Sequence, residues 1–206
     1  MKTGRFSFHA IPLVAAILLC GAPAAEAADD AKVHRHDISL TFDAVHWTWV
    51  YGGLRNDVSD AFDEVFIFTP GAELTYLFSA ARYFSVGASF DYLAFWRTGE
   101  DGYSVTAHQF RLGPELRGVL PLLDDRLRLF LGALGGFSAN ASSWEESGSS
   151  GRDGGGGWFI AGVCGAEVFW GAWGLAVNLR SGWTRHPDSY SMIDMIQLHV
   201  GAAYRF

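Results

Sequence analysis

The chain has 206 residues, of which half are hydrophobic and 15% are aromatic, and its formal net charge at pH 7 is −7. This acidic balance argues against nucleic acid as a partner, because a polyanion is bound by basic surfaces. The length suits one domain, and the two cysteines are too few for a disulfide framework.

The amino-terminus has the pattern of a secretory signal peptide. Lys2 and Arg5 make a basic start, residues 11–19 form a short apolar run, and a small-x-small motif ends at Ala27. We therefore predict a cleaved leader over residues 1–27 and export from the cytoplasm.

Two alternatives for this leader are less favoured. A transmembrane helix needs about 20 apolar residues, more than the run provides. Lipidation at Cys20 would usually follow a small residue, whereas Leu19 precedes it. The predicted mature domain, residues 28–206, then retains only Cys164, whose position in the alternation predicts a lipid-facing side chain.

Alternation of apolar with small or polar residues recurs along the mature chain, which predicts an all-β protein. Each segment is long enough to cross a bilayer as a tilted strand, and an even number of strands lets the sheet close without a free edge. We predict an eight-stranded antiparallel up-and-down transmembrane β-barrel with strands at 37–50, 64–77, 83–98, 104–120, 126–140, 158–170, 174–184 and 192–206.

Short and long connections alternate between these strands, as in outer-membrane barrels with periplasmic turns and external loops. The short connections are 78–82, 121–125 and 171–173, and the longer ones are 51–63, 99–103, 141–157 and 185–191. Residues 140–157 are dominated by serine and glycine, which predicts a flexible surface loop.

A weak repeat, Gly-x-Glu, lies on three descending strands and ends at Glu73, Glu115 and Glu167. These glutamates alternate with the lipid-facing residues, so their side chains are expected inside the barrel. Buried charges must pair, and an eight-stranded barrel is narrow enough to be filled by side chains. We predict an interior charge network of Asp43, Glu73, Asp91, Arg111, Glu115, Arg117, Arg128, Glu167, Arg180, His199 and Arg205.

Aromatic residues recur near both ends of the predicted strands. Phe84 and Trp96 share one strand face at a spacing that places their rings at opposite membrane interfaces. The pattern predicts an aromatic girdle formed by Tyr76, Phe84, Trp96, Trp158, Trp170, Trp173, Trp183, Tyr204 and Phe206.

The last strand alternates up to an aromatic carboxy-terminus, with Tyr204 and Phe206 on its apolar face. Together with the leader, the eight amphipathic segments and the loop asymmetry, this ending resembles the small outer-membrane barrels of the OmpA, OmpX and opacity-protein type. The resemblance implies an outer-membrane location and makes Tyr204 and Phe206 the signal that the barrel-assembly machinery reads. It is architectural and names no activity.

The leading functional hypothesis is a monomeric, non-enzymatic outer-membrane protein with a structural or surface-interaction role. Its partners would be outer-membrane lipid and lipopolysaccharide, together with an extracellular ligand bound through the outer loops. A narrow channel for small solutes is the first alternative, and it requires a gap in the interior network.

An enzyme that modifies lipid A is the second alternative. Its nearest candidate pair is His186 and Ser189, with His46 as a conceivable partner of Ser189. The His-x-x-Ser spacing and the proline between them do not match the His-x-Ser pair of the deacylase type. Nothing in the sequence fixes a base beside the nucleophile, so the enzyme is disfavoured.

No metal site or cofactor is predicted. An acidic group in the first outer loop has oxygen ligands suited to Ca²⁺, but it lacks the EF-hand pattern and is better explained as solvated loop. It consists of Asp57, Asp60, Asp63 and Glu64. The histidines do not form a metal site, because His34 and His36 lie in the segment that enters the first strand and His46 lies well along that strand.

Overall fold

A computed structural model describes residues 36–51, 65–67, 70–98, 104–146, 149–186 and 191–206. The predicted leader, the acidic group of the first loop and Ser189 lie outside these residues. The described residues contain no helix long and apolar enough to cross a membrane.

In the described residues nine strands form one antiparallel sheet, in which the first strand pairs with the second and the third, and from the third onward each strand pairs with the next along the chain. They are β1 (His36–Tyr51), β2 (Val65–Ile67), β3 (Gly71–Ala81), β4 (Phe84–Thr98), β5 (Ser104–Leu122), β6 (Leu127–Glu146), β7 (Ser149–Trp170), β8 (Trp173–Arg185) and β9 (Ser191–Arg205). Pairing of β1 with β9 closes the sheet into a ring.

The ring has eight members because β2 and β3 both pair with β1, one after the other along its length. They correspond to the single predicted strand 64–77, which the structure divides before Gly71. Pro70 lies at this division, and proline cannot donate a hydrogen bond to a sheet ladder. The predicted eight-stranded antiparallel barrel is confirmed.

Both chain ends of the described barrel meet at one end of the ring. The amide and carbonyl of His36 exchange hydrogen bonds with those of Phe206, at 3.2 and 2.9 Å. The short turns at 82–83, 123–126 and 171–172 lie at this same end. We call it the terminal end, and the opposite end the loop end.

The prediction of a flexible loop at residues 140–157 is wrong. Strands β6 and β7 continue through this segment in unbroken register, from the pair Asn140 and Gly155 to the pair Glu146 and Ser149. Pairing of β6 with β5 as far as Glu145 supports the hairpin from one side. Glycine permits many conformations but does not forbid an extended one when a neighbouring ladder supports it.

A tryptophan also holds this hairpin in its extended form. The indole of Trp144 covers Gly151 so closely that a Cβ there would overlap it. The glycine at this position therefore allows close packing of the ring on the facing strand, in place of the mobility expected from composition.

The two faces of the sheet differ in polarity along the strands. On β5, Leu112, Leu116 and Leu120 project outward and are about half exposed, whereas Arg111 and Glu115 project inward and are buried. The same alternation on the other strands gives an apolar outer belt around a polar interior. Because the ring satisfies its own backbone hydrogen bonds, such a belt is compatible with a hydrocarbon surrounding.

Candidate functional site: the barrel interior

The interior collects nearly all the buried charge of the described residues. All eleven residues of the predicted charge network have side chains that are buried inside the ring. They lie in three groups along the barrel axis. These are a central chain of ion pairs, two buried glutamates that share one arginine, and a group at the terminal end. A fourth group, at the loop end, is polar and uncharged.

His199 on β9 begins the central chain, with one carboxylate on either side of its ring. Its Nε2 lies 3.0 Å from Asp43 and its Nδ1 lies 3.2 Å from Glu73. Arg180 of β8 contacts Glu73 at 2.5 Å and Asp91 of β4 at 3.1 Å. Strands on opposite sides of the ring are thereby joined across the interior.

Asp91 also links this chain to Arg111 of β5, at 3.6 Å. Arg111 contacts Asp194 of β9 at 2.5 Å, and Asp194 lies 3.0 Å from Nε2 of His46. The hydroxyl of Thr48 donates a further 3.0 Å hydrogen bond to Asp194. Acidic and basic groups therefore alternate through the middle of the barrel.

A separate buried group lies toward the terminal end on β5 and β7. Arg117 contacts Glu115 at 2.6 Å and Glu167 at 3.2 Å. Its guanidinium stands over the ring of Phe130, 4.1 Å from the centroid, in cation–π geometry. Two of the three Gly-x-Glu glutamates thus share one arginine, and the third, Glu73, is paired in the central chain.

Arg128 and Arg205 close the terminal end through Asp125 of the β5–β6 turn. Arg128 contacts Asp125 at 2.6 Å and Asp37 at 3.0 Å, and Arg205 contacts Asp125 at 3.0 Å. Both guanidinium groups lie over the ring of Phe169. This group ties the start and end of the barrel chain to the turn between β5 and β6.

Uncharged polar side chains occupy the loop end of the interior. Oγ of Ser138 lies 3.3 Å from Nε2 of His186, and Nε2 of Gln109 lies 3.3 Å from that hydroxyl. Asn140 is the direct cross-strand neighbour of Gln109. We call Gln109, Ser138, Asn140 and His186 the mouth cluster.

His186 lies just beyond the end of β8 and is 2% exposed. Burial, and next the nearby Arg111 guanidinium, hold the pKa of His186 below its usual range. Its imidazole is therefore neutral at pH 7, and the mouth cluster carries no formal charge of its own. Its ring contacts Gln109 and Ser138 of the interior, so His186, considered above for a lipid A enzyme, does not lie on the lipid-facing surface.

Three acidic residues and one histidine that complete the interior were missed by the sequence analysis as network members. They are Asp37, His46, Asp125 and Asp194. Asp37 shares the alternation of Asp43 and could have been found from it. His46 and Asp194 could not, because the pairing of β1 with β9 shifts register twice along its length.

The residues of the predicted aromatic girdle lie at both ends of the barrel. Ring centroids of Trp173 and Tyr204 are 4.7 Å apart at the terminal end, while those of Trp158 and Trp183 are 4.9 Å apart nearer the loop end. Trp183 and Tyr204 are half-buried. The other members are exposed on the outer face: Tyr76, Phe84, Trp96, Trp158, Trp170, Trp173 and Phe206.

The described residues contain no group of three or more His, Cys, Asp or Glu side chains arranged to hold a metal ion. The histidines and carboxylates of the central chain are instead in contact with arginines or with one another. Cys164 is exposed on the outer face of β7.

No protein-family model and no curated protein matches the chain. Solved structures do match it. Ail, the attachment invasion locus protein of Yersinia pestis, in complex with the heparin analogue sucrose octasulfate, has 12% identity and a TM-score of 0.53 over 84% of this chain and 99% of that one. A major outer membrane protein from Thermus thermophilus has 9% identity and a TM-score of 0.52 over 83% and 99%.

Neisserial surface protein A also matches, with 9% identity and a TM-score of 0.51 over 83% of this chain and 97% of that one. At these identities the likeness concerns the fold alone. The chain has the fold of a small eight-stranded outer-membrane β-barrel.

Proposed function

We propose that the chain is an integral outer-membrane protein with a surface-interaction role, in which a plugged barrel anchors a projecting hairpin outside the cell. The observation that carries this proposal is the contrast between the two parts of β6 and β7. Within the ring they surround a dense ion-pair network, and toward the loop end they continue beyond the end of β8 as an extension that β5 flanks on the β6 side as far as Glu145.

The projecting part of β7 offers its backbone to a partner. Residues 149–153 pair with β6 on one side, and the pairing of β7 with β8 begins only at Trp158. Among the described residues this segment therefore has an open edge of about 15 Å. An open edge of this kind can accept an added strand from a protein partner. In the proposed orientation, the hairpin also lies at the level of outer-leaflet lipopolysaccharide, host molecules and other environmental surfaces.

The packed interior of the barrel favours a role as a membrane anchor over a role as a channel. Arginines, histidines and carboxylates from β1, β3, β4, β5, β8 and β9 contact one another across the axis. Planar bilayers containing the purified barrel should therefore show no sustained conductance, and stable single-channel steps would favour the channel alternative.

Orientation can be tested by cysteine labelling in a Cys164→Ala background. Ser150→Cys in the hairpin should react with a membrane-impermeant maleimide on intact cells, whereas Leu123→Cys in the opposite turn should react only after lysis. The reverse pattern would contradict the proposed placement.

The interaction role can be tested by shortening the hairpin without touching the ring. Replacing residues 142–153 by Asn-Gly joins the cross-strand pair Ala141 and Gly154 through a two-residue turn. Cells carrying this variant should assemble the barrel normally but lose adhesion to host-cell and abiotic surfaces. Unchanged adhesion would refute a role for the hairpin.

A further inference from the structure

The mouth cluster contains a polar side chain that the fold itself does not satisfy. Asn140 is 6% exposed, and neither its Nδ2 nor its Oδ1 has a hydrogen-bond partner among the described residues. On β8, the buried hydroxyl of Thr184 also has no hydrogen-bond partner within the described part of the chain. Burying such groups unpaired is costly, and native proteins rarely do so without a water or ligand to complete them.

The strand beside Asn140 presents backbone where a side chain would otherwise fill the space. Gly155 is its cross-strand neighbour on β7, and Gly157 lies beside His186. A Cβ at Gly157 would overlap the carbonyl of Arg185 and crowd the His186 ring. The glycines therefore leave the polar wall of the mouth lined by amide, hydroxyl, imidazole and main-chain groups.

Apolar side chains flank these polar groups on the two adjoining strands. Leu93 and Phe95 of β4 pack with Met192 of β9 in one buried cluster. The loop end of the interior thus combines uncharged hydrogen-bonding groups on β5, β6 and β8 with an aromatic and aliphatic surface on the flanking strands β4 and β9. Neutral sugars have this same division, with hydroxyls at the ring edge and C–H groups on the ring face.

We propose that the mouth cluster is a binding site for a neutral saccharide, with the Asn140 amide as its principal hydrogen-bonding group. Gln109 is held from below by Arg111, whose Nη2 donates to its Oε1 at 3.0 Å, so the cluster is fixed to the ion-pair chain. The Arg111 guanidinium is itself engaged by Asp194. The cation nearest the mouth cluster is therefore already neutralised by a carboxylate, which disfavours charged sugars.

The proposal rests on the proposed outer-membrane orientation only for the source of the sugar, which would enter from outside the cell. Binding itself is tested on the purified barrel, so its failure is separate from failure of the labelling experiment. The barrel is refolded in a phosphocholine detergent, because sugar-based detergents would occupy the site. Sucrose and N-acetylglucosamine are titrated as neutral probes and sucrose octasulfate as the anionic one, with side-chain amide NMR signals as the readout.

Asn140→Leu keeps the branched shape of the side chain and removes the amide, and Asn178→Leu is its matched control. Asn178 is also buried in the interior, and its Oδ1 lacks a hydrogen-bond partner among the described residues, but it lies beside His199, below the level of the mouth. We expect saturable binding of a neutral probe at millimolar concentration, weakened about tenfold or more by Asn140→Leu and unchanged by Asn178→Leu.

Three results would overturn the proposal. The first is absence of saturable binding by either neutral probe, and the second is equal binding by the Asn140→Leu variant. The third is tighter binding of sucrose octasulfate than of sucrose at the Asn140 signal. If Asn140→Leu raises stability while the wild-type chain binds no sugar, the cluster holds only buried water.

Discussion

Single residues in the interior have partners that make them interdependent. Arg180 is 1% exposed and is the only residue that joins Glu73 to Asp91 among the described ion pairs. An intact buried pair contributes little net stability, since desolvation offsets attraction. Removing one member has a much larger effect, because the remaining charge stays buried without compensation.

Arg180→Met is therefore expected to destabilise the barrel by about 3–5 kcal/mol, because two carboxylates lose their shared cation. Urea unfolding in lipid vesicles, followed by tryptophan fluorescence, measures the change. Arg126→Met is the control, since Arg126 is a turn residue outside the interior network and its loss should have little effect. A loss below about 1 kcal/mol for Arg180→Met would show that the interior relaxes or admits water.

His186 gives a prediction about pH. Burial and Arg111 keep the pKa of its imidazole below the usual value, so the folded state resists a proton that the unfolded chain accepts. Its contribution to stability is fully present above about pH 6.5 and is lost as the pH falls from there through the lower pKa of the folded state. NMR titration of the ring, assigned with His186→Asn, should give a midpoint below that of a free histidine. A midpoint at or above it would contradict the burial argument.

At the scale of the elements, the alternation of residues predicts which side chains enter the barrel only as far as the register is regular. From the carboxy-terminus back to Gln197, alternation assigns the inward residues of β9 as the structure has them. Beyond Gln197, Ile196 pairs with Trp47 and Asp194 pairs with Thr48, so one residue of β9 is skipped. From there on, the even-numbered residues of β9 point inward in place of the odd-numbered ones. A bulge of this kind depends on the facing strand and leaves no mark in the sequence of its own strand.

The same limit explains the hairpin. Serine and glycine between residues 140 and 157 favour a loop on local propensity, yet β5 and the Trp144 ring hold them extended. Propensity in strands is dominated by neighbours rather than by the backbone itself. The strands of the ring could be predicted because a lipid surrounding requires apolar and polar residues to alternate along them. The projecting part of the β6–β7 hairpin lies beyond the lipid, so its sequence does not carry this pattern.

The turn between β5 and β6 gives a prediction at this scale. Leu123, Asp124 and Asp125 all have positive φ, at 52°, 54° and 63°. A leucine in this region is strained by its Cβ, and Leu123 is 73% exposed, so its side chain contributes little burial. Leu123→Gly should therefore stabilise the barrel by about 0.5–1 kcal/mol in the same unfolding assay.

Leu122→Gly is the matched control for this substitution. Leu122 ends β5 in extended conformation, where glycine gains no relief and loses entropy on folding. The control should be destabilised by about 0.5–1 kcal/mol. Destabilisation of both variants would show that the turn is not strained at Leu123.

At the scale of the whole molecule, the ring and its interior form one cooperative structure while the hairpin does not. Closure of β1 on β9 and the ion pairs across the axis couple the strands of the ring. The outer part of β7 has one neighbouring strand among the described residues instead of two, and it lies beyond the interior contacts. Different parts of a single strand should therefore open with different free energies.

Amide hydrogen exchange in lipid nanodiscs tests this division within β7. Residues 158–170 are paired on both sides and should exchange only on global unfolding, whereas residues 149–153 should exchange at least about tenfold faster because their free edge meets water. The facing residues of β6 provide an internal control, since β5 and β7 flank them up to Glu145. Their slow exchange beside fast exchange in β7 would locate the open edge on β7 itself. Equal protection along the whole of β7 would mean that another strand covers that edge, and the surface proposed for partner binding would already be occupied.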